Sequence, residues 1–233
     1  MRSAVKPKHY LFIALLGLIA VTSLLLAWPR LQASFRYLPV EIAINRYYAS
    51  GEIPTDRLPV LIGFAEQAVS RLDHYRFHDG LSILHLLRAV DLNTPAIERR
   101  DAYISAIEEA VAALERAPAQ TITWLRLTRL RWILHEEPET VVSAWKMSVF
   151  TGRTTVSLIK QRVEIGLAYK GYLDEEGVAM LRDQLLLAWR LRPGPLIKML
   201  SSRDPGLNLT KSLIVDSDPV ALADMEAWLA KLK

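Results

Sequence analysis

Hydrophobic and polar positions follow two regimes along this chain. From Tyr10 to Pro29 there is no charged residue, and the run LFIALLGLIAVTSLLLAW inside that stretch is apolar on every side. About 20 such residues at 1.5 Å per residue match the roughly 30 Å hydrocarbon core of a bilayer. Beyond Ser34 the apolar residues instead recur at helical spacing among charged ones, the pattern of helices that bury one face. The stops between them are written in proline and acidic caps. Thr94-Pro95, Glu137-Pro138 and Asp218-Pro219 each put proline at a first helical position, where its missing N–H costs nothing, and Asp174 is placed to cap the helix after Tyr172.

These signals predict helices near 40–48, 56–72, 78–91, 95–117, 121–136, 138–151, 154–170, 175–191, 194–201 and 219–231. Short connections between them predict antiparallel neighbours. The segment YASGEIPTDRL, Tyr48 to Leu58, reads as a loop between a short membrane-proximal helix and the main array. No stretch sustains period-two alternation between hairpin turns, so the expected fold class is all-α. The expected order is a basic N-terminus at 1–9, a transmembrane helix at 10–29 and a membrane-proximal neck at 30–58. A helical repeat domain at 59–200 and a capping segment with a helix at 201–233 complete it.

The first segment could also serve as a signal peptide, with Arg2, Lys6 and Lys8 as its basic region. Its apolar run is longer than the usual ~7–15 residues, and Leu31-Gln32-Ala33 fits the small-residue cleavage pattern poorly, so an uncleaved anchor is expected. Arg30 and Arg36 follow the span closely and weaken the charge asymmetry. The balance still favours a cytoplasmic N-terminus with the domain outside, which in a bacterium is the periplasm. With no cysteine in the chain, a lipid-modified cysteine is excluded. The net charge of +4 is spread among interspersed acids and bases, so a nucleic-acid partner is not expected.

Ala106, Ala110, Ala113 and Pro118 stand at A-x3-A-x2-A-x4-P, and six residues later Trp124 begins W-x2-L with Leu127. This resembles the tetratricopeptide pattern, in which small residues on a second helix admit the next first helix and proline closes the unit. Thirty-four residues onward stand Ala144, Met147, Gly152 and Leu158; Leu181, Leu185, Ala188 and Pro193 give a third copy after about seven extra residues, and Leu61, Ala65, Ala68 and Asp73 an upstream one. Thr128 and Arg131 stand where the family has glycine and tyrosine. The resemblance covers about residues 59–200 and implies an α-hairpin array, an α-solenoid. An ordinary helical bundle with recurring alanines is the alternative.

Candidate chemistry is sparse. His74, His78 and His85 would share one side of a continuous helix, a geometry for a metal ion, but DHYRFHDG ends in Asp-Gly and reads as an interhelix turn. HEEPE at 135–139 lacks the second histidine of a zinc protease motif, and Pro138 starts a new helix. Glu108, Glu109, Glu136, Glu137, Glu175 and Glu176 are explained by polar faces and first turns, where helix dipoles favour acids. No nucleophile elbow, Walker loop or dinucleotide fingerprint is present. No catalytic residue, metal or cofactor is therefore expected. The segment TWLRLTRLRW is more suggestive: in the tetratricopeptide-like register Leu125, Arg129 and Trp132 face the concave groove as partner-binding candidates, and Trp124 and Leu127 pack inward. An arginine beside an indole suits an extended peptide, a carboxylate or an acidic sugar.

The anchor, the RYLPVEIAINRYY neck and the degenerate repeats also resemble, in layout, accessory proteins of bacterial envelope or exopolysaccharide assembly. That resemblance implies a periplasmic scaffold with protein partners in a membrane or envelope complex. Two alternatives remain open: a structural subunit of a membrane complex that uses its span as the interaction surface, and an envelope glycan-processing enzyme.

Overall fold

The computed structural model describes residues 7–52, 55–204 and 207–231, with side chains described from Phe12 onward. Arg2 and Lys6 lie outside the described residues, as does the Lys8 side chain. Every regular element among the described residues is helical. They run α1 (Pro7–Ser50), α2 (Leu58–Arg71), α3 (Tyr75–Val90), α4 (Ala96–Arg116), α5 (Thr121–Ile133), α6 (Pro138–Phe150), α7 (Val156–Ala168), α8 (Glu175–Leu191), α9 (Pro193–Arg203), α10 (Asn208–Ile214) and α11 (Pro219–Ala230). The chain divides into two compact units, Met1–Arg116 and Ala117–Lys233. The expected 59–200 array extends across that division, and its best-matched junction does too: Ala106, Ala110 and Ala113 fall in the first unit, Pro118 and Trp124 in the second.

The first unit corrects the expected neck. Residues 40–48 are not a separate helix; α1 continues through them without a break, 44 residues in all, with Pro29 and Pro39 inside it. Each proline removes one intrahelical hydrogen bond, at a cost of about 3 kcal/mol in an ordinary helix interior. Burial offsets this in the second half. Ala33, Tyr37, Val40 and Ile44 are buried at spacings of four, three and four, the seam of a helix that packs along one side, and they meet Leu58, Leu61, Ile62, Ala65 and Ala68 of α2 and Phe77, Leu81 and Leu84 of α3. Fully burying a side chain of this size contributes about 1.5–3 kcal/mol, so three or four such residues outweigh one lost backbone bond. The first half has no such seam. From Phe12 to Arg30 every described side chain is exposed, and the helix is long and apolar enough there to cross a membrane.

Alanines decide how α4 joins this unit. Ala102, Ala106, Ala110 and Ala113 are all buried, and their small side chains let α4 lie close along α3. The approach is near enough that the buried Ser82 hydroxyl donates to the Ala106 carbonyl at 2.8 Å. Gly80 performs the same service for α1. A Cβ at Gly80 would overlap the Tyr37 hydroxyl and lie 2.8 Å from its Cζ, and that hydroxyl donates to the Arg76 carbonyl at 3.1 Å.

The second unit has a larger core, built from Leu125 of α5, Val141, Trp145 and Val149 of α6, Ile159, Val163 and Ile165 of α7, and Leu181 and Leu185 of α8. Residues of α9, α10 and α11 close it, among them Ile197, Leu200, Leu213, Ile214 and Met225. Gly166 lets α7 come close: a Cβ there would lie 2.6 Å from Leu181 Cδ1 and 2.9 Å from Trp145 Cζ2. The expected Asp174 cap forms, and Asp218 supplies a second. Asp174 accepts from Gly177 N at 2.8 Å and Asp218 from Ala221 N at 3.0 Å, while Pro138 and Pro219 begin their helices. The short helix α10, unforeseen from spacing, is started by Leu207 at φ 52° and capped by the buried Asp204, which accepts from Thr210 N at 2.8 Å.

Candidate functional site

The α5 segment places its three candidates differently. Leu125 is 2% exposed and belongs to the core of the second unit, so it offers no surface. Arg129, one turn on, is exposed. Trp132 follows three residues later on the same side of the helix, half-buried and packed against the core. Arg129 and Trp132 thus share one side of α5 at i, i+3 spacing, the first exposed and the second partly covered, while Leu125 is buried. Arg131 is engaged elsewhere: its Nη1 donates to the Thr140 carbonyl at 3.0 Å, tying α5 to the start of α6. Trp124 is half-buried, and its indole N–H donates to the Pro118 carbonyl at 2.7 Å, fastening the first turn of α5 to the preceding segment. His135, at the end of α5, takes φ 54° and turns the chain toward α6, which explains the HEEPE run as a helix junction.

The histidines do not converge. His74 caps α3, its Nδ1 accepting from Arg76 N at 3.3 Å. The turn between α2 and α3 is Leu72–His74, so His78, Asp79 and Gly80 lie inside α3 rather than in the turn expected for DHYRFHDG. His78 is 7% exposed, with Nε2 2.9 Å from Asp73 Oδ1 and Nδ1 2.6 Å from Glu109 Oε2. Both ring nitrogens thus face a carboxylate oxygen. Asp73 is held on its other side by Arg116, whose Nη2 donates to Oδ2 at 2.6 Å. The Arg116 hydrogen bonds, and then that of His78, hold the Asp73 carboxyl well below its ordinary value, at about 2. His85 is two turns further along α3; desolvation lowers its pKa and its buried Nδ1 has no hydrogen-bond partner among the described residues. No group of three histidines or acids among the described residues is placed to hold a metal ion.

The cluster ties the α2–α3 turn to α4 and leaves His78 no free nitrogen with which to take a proton from a substrate. One member of each glutamate pair is engaged by a neighbouring base. Glu109 serves His78, Glu136 approaches Arg131 Nε at 3.4 Å, and Glu175 and Glu176 stand in the first turn of α8, the latter paired with Lys146.

The second unit has its own buried polar centre, which the sequence did not single out. Arg162 is 0% exposed; its Nη1 donates to the Gly152 carbonyl at 2.9 Å, and its Nη2 to the Ser148 carbonyl. The Arg162 carbonyl in turn accepts from the Trp145 indole at 2.8 Å. Burial lowers the guanidinium to about 10. An arginine at an otherwise apolar helical spacing, i+3 from Ile159 and i−1 from Val163, was the available signal.

No protein-family model matches the chain, and no curated protein matches it.

Proposed function

We propose that this protein is a membrane-anchored scaffold: a single-span anchor at α1 holding a tetratricopeptide-like helical domain in the bacterial periplasm, where it binds protein partners of an envelope or exopolysaccharide assembly complex. The observation that carries the reading is the continuity of α1. One helix has a bare apolar half fit for a bilayer and a seamed half packed into the first unit, so the domain is held beside the membrane by a rod rather than a tether. The repeat reading is supported by the hairpin order: α3 packs on α4, α5 on α6 and α7 on α8. The small or branched positions of the register, Ala106 and Ala110, Ala144, and Leu181, Leu185 and Ala188, are all buried and all lie on the second helix of a pair.

Arg129 with Trp132 is the proposed capture point, since charge-assisted hydrogen bonding and apolar contact combine there. Placement is tested by a phosphatase fused after the last residue, expected to be active because exported; a cytoplasm-only fluorescent protein glowing at that position reverses the orientation. Scaffolding is tested by purification in mild detergent. Partners retained by the wild type and by Glu175→Ala should be lost from Arg129→Glu and Trp132→Ala while all four remain helical by circular dichroism. Equal retention by every variant moves the partner surface away from α5.

A further inference from the structure

The first unit fixes which of its surfaces lies nearest the end of the apolar half of α1. Antiparallel packing of α2 on α1 brings the end of α2 back toward the start of the domain: Arg71 Nη1 donates to Gln32 Oε1 at 3.3 Å, and Arg36 donates to Gln67 Oε1. The start of α3 is pinned to the next turns of α1, because Tyr37 donates to the Arg76 carbonyl at 3.1 Å and Arg76 pairs with Glu41. The end of α4 arrives there as well through Arg116 and Asp73. Gln32 lies three residues beyond Pro29, about 5 Å along the axis, and Arg36 about 10 Å. The headgroup layer beyond each face of the hydrocarbon core is about 5–8 Å deep. With Trp28 at the edge of the hydrocarbon, Gln32 and the Arg71 bound to it stand at headgroup depth, and Arg36 stands just beyond, where a long side chain can reach back to it.

The charge at this corner is unevenly compensated. Arg76 has Glu41 and Arg116 has Asp73, whereas Arg30, Arg36 and Arg71 are exposed and make no ion pair with an acid among the described residues. Arg36 and Arg71 hold neutral glutamine amides, which leave most guanidinium donors unused. Guanidinium forks match phosphate oxygens bidentately, and Trp28, half-exposed at the same level, is a residue type that settles at the membrane interface.

We infer that the α2–α3 corner of the first unit rests on the membrane surface and that Arg30, Arg36 and Arg71 take the phosphates of anionic phospholipid headgroups there. The inference depends on α1 spanning the membrane and adds a second, polar contact with the same bilayer. It makes the tilt of the first unit a fixed property, because the corner and the span together define a plane.

The test uses the full-length chain in vesicles of phosphatidylcholine with or without phosphatidylglycerol. Since the chain has no cysteine, Ser70→Cys at the corner and Asn93→Cys in the α3–α4 turn each accept a single fluorophore. The two sites are separated by the length of α3, 16 residues or about 24 Å. Nitroxide attached to lipid headgroups should quench the label at position 70 strongly and that at 93 weakly. Native mass spectrometry of the detergent-released protein should show phosphatidylglycerol retained several-fold over phosphatidylcholine, with the preference falling to near one in Arg36→Glu/Arg71→Glu. A protein that fails to float with vesicles after an alkaline wash overturns the anchor itself, and this inference with it. A protein that inserts but shows equal quenching at both sites overturns only the corner contact. Quenching at 70 without lipid preference in the wild type removes the phosphate recognition.

Discussion

The two units solve the same problem, a polar basic side chain buried inside a helical domain, in opposite ways. In the first, His78 is buried between two carboxylates, one of which, Asp73, is 61% exposed at its side chain and also held by Arg116. In the second, Arg162 is enclosed completely and its contacts are backbone carbonyls and the Gln184 amide, with no acid paired to it among the described residues. Charges near water are tuned by their neighbours and screened by solvent, and each contributes modestly. A charge held by carbonyls in the interior is expensive to bury and more damaging to remove, because the acceptors it leaves behind have no water to turn to. The first centre is therefore adjustable and the second structural.

The largest expected effect follows from that contrast. Arg162→Ala should destabilise the second unit by about 3–5 kcal/mol, through the Ser148 carbonyl left without its donor, the Gly152 carbonyl left with Thr155 N–H alone, and the cavity where the side chain stood. Arg162→Lys should restore little, since an ammonium lacks the fork that reaches two carbonyls at once. Five of the six tryptophans, Trp124, Trp132, Trp145, Trp189 and Trp228, belong to this unit, so intrinsic fluorescence during urea unfolding reads it directly. A shift in midpoint equivalent to less than 1 kcal/mol would sink the structural reading of this centre.

His78→Ala comes next, at about 1–3 kcal/mol, because Glu109 loses a close partner while Asp73 keeps Arg116. Amide hydrogen exchange of α3 and α4 is the measurement. Exchange that quickens as much as in an Arg162→Ala domain would erase the difference between the two centres.

How much of this was legible beforehand depends on whether the signal was local. Asp174 announced its cap, and Pro138 and Pro219 their helix starts, since capping is settled within one turn of chain. The unbroken α1 was not legible, because the apolar run ends at Pro29 and the next helical spacing begins near residue 40, and only packing against α2 and α3 shows what holds the helix through Pro39. Leu125 was misjudged for a related reason. Its neighbours Trp124 and Arg126 disguise which side of α5 is inward, and the face is decided by Val141, Trp145 and Ile159, residues 16 or more positions away. Arg162 was passed over because an arginine among apolar residues reads as a solvated one until its acceptors, ten and fourteen positions back, are seen.

Acid should separate the centres more gently. The Asp73 carboxyl titrates at about 2 in the fold, against about 3.9 in an unfolded chain. Its folded value is depressed, so the stability it contributes is fully present above the unfolded value and is lost as pH falls through about 2. Arg162 remains charged across that range, so its contacts are insensitive to acid. Between about pH 4 and pH 2, the protection of α3 amides relative to their intrinsic exchange should fall, and Asp73→Asn should flatten that part of the profile. An unchanged slope in Asp73→Asn would show that the Arg116 and His78 contacts do not depend on the Asp73 charge.

The smallest effect on stability is expected where the proposed function is strongest. Arg129 is exposed on the same helix as the buried Arg126, three residues earlier, so α5 carries one arginine in each kind of setting. Arg129→Ala should change the unfolding free energy by no more than about 0.5 kcal/mol, the usual result for an exposed site away from caps and cores. Trp132→Ala should cost more, because the indole packs against the core of the second unit. Partner capture should rank them differently, with Arg129→Ala losing as much binding as Trp132→Ala although it loses almost no stability. If instead capture falls only in proportion to stability across the two variants, Arg129 is a solvated surface residue and Trp132 a packing residue, and the partner of this domain is held by another face.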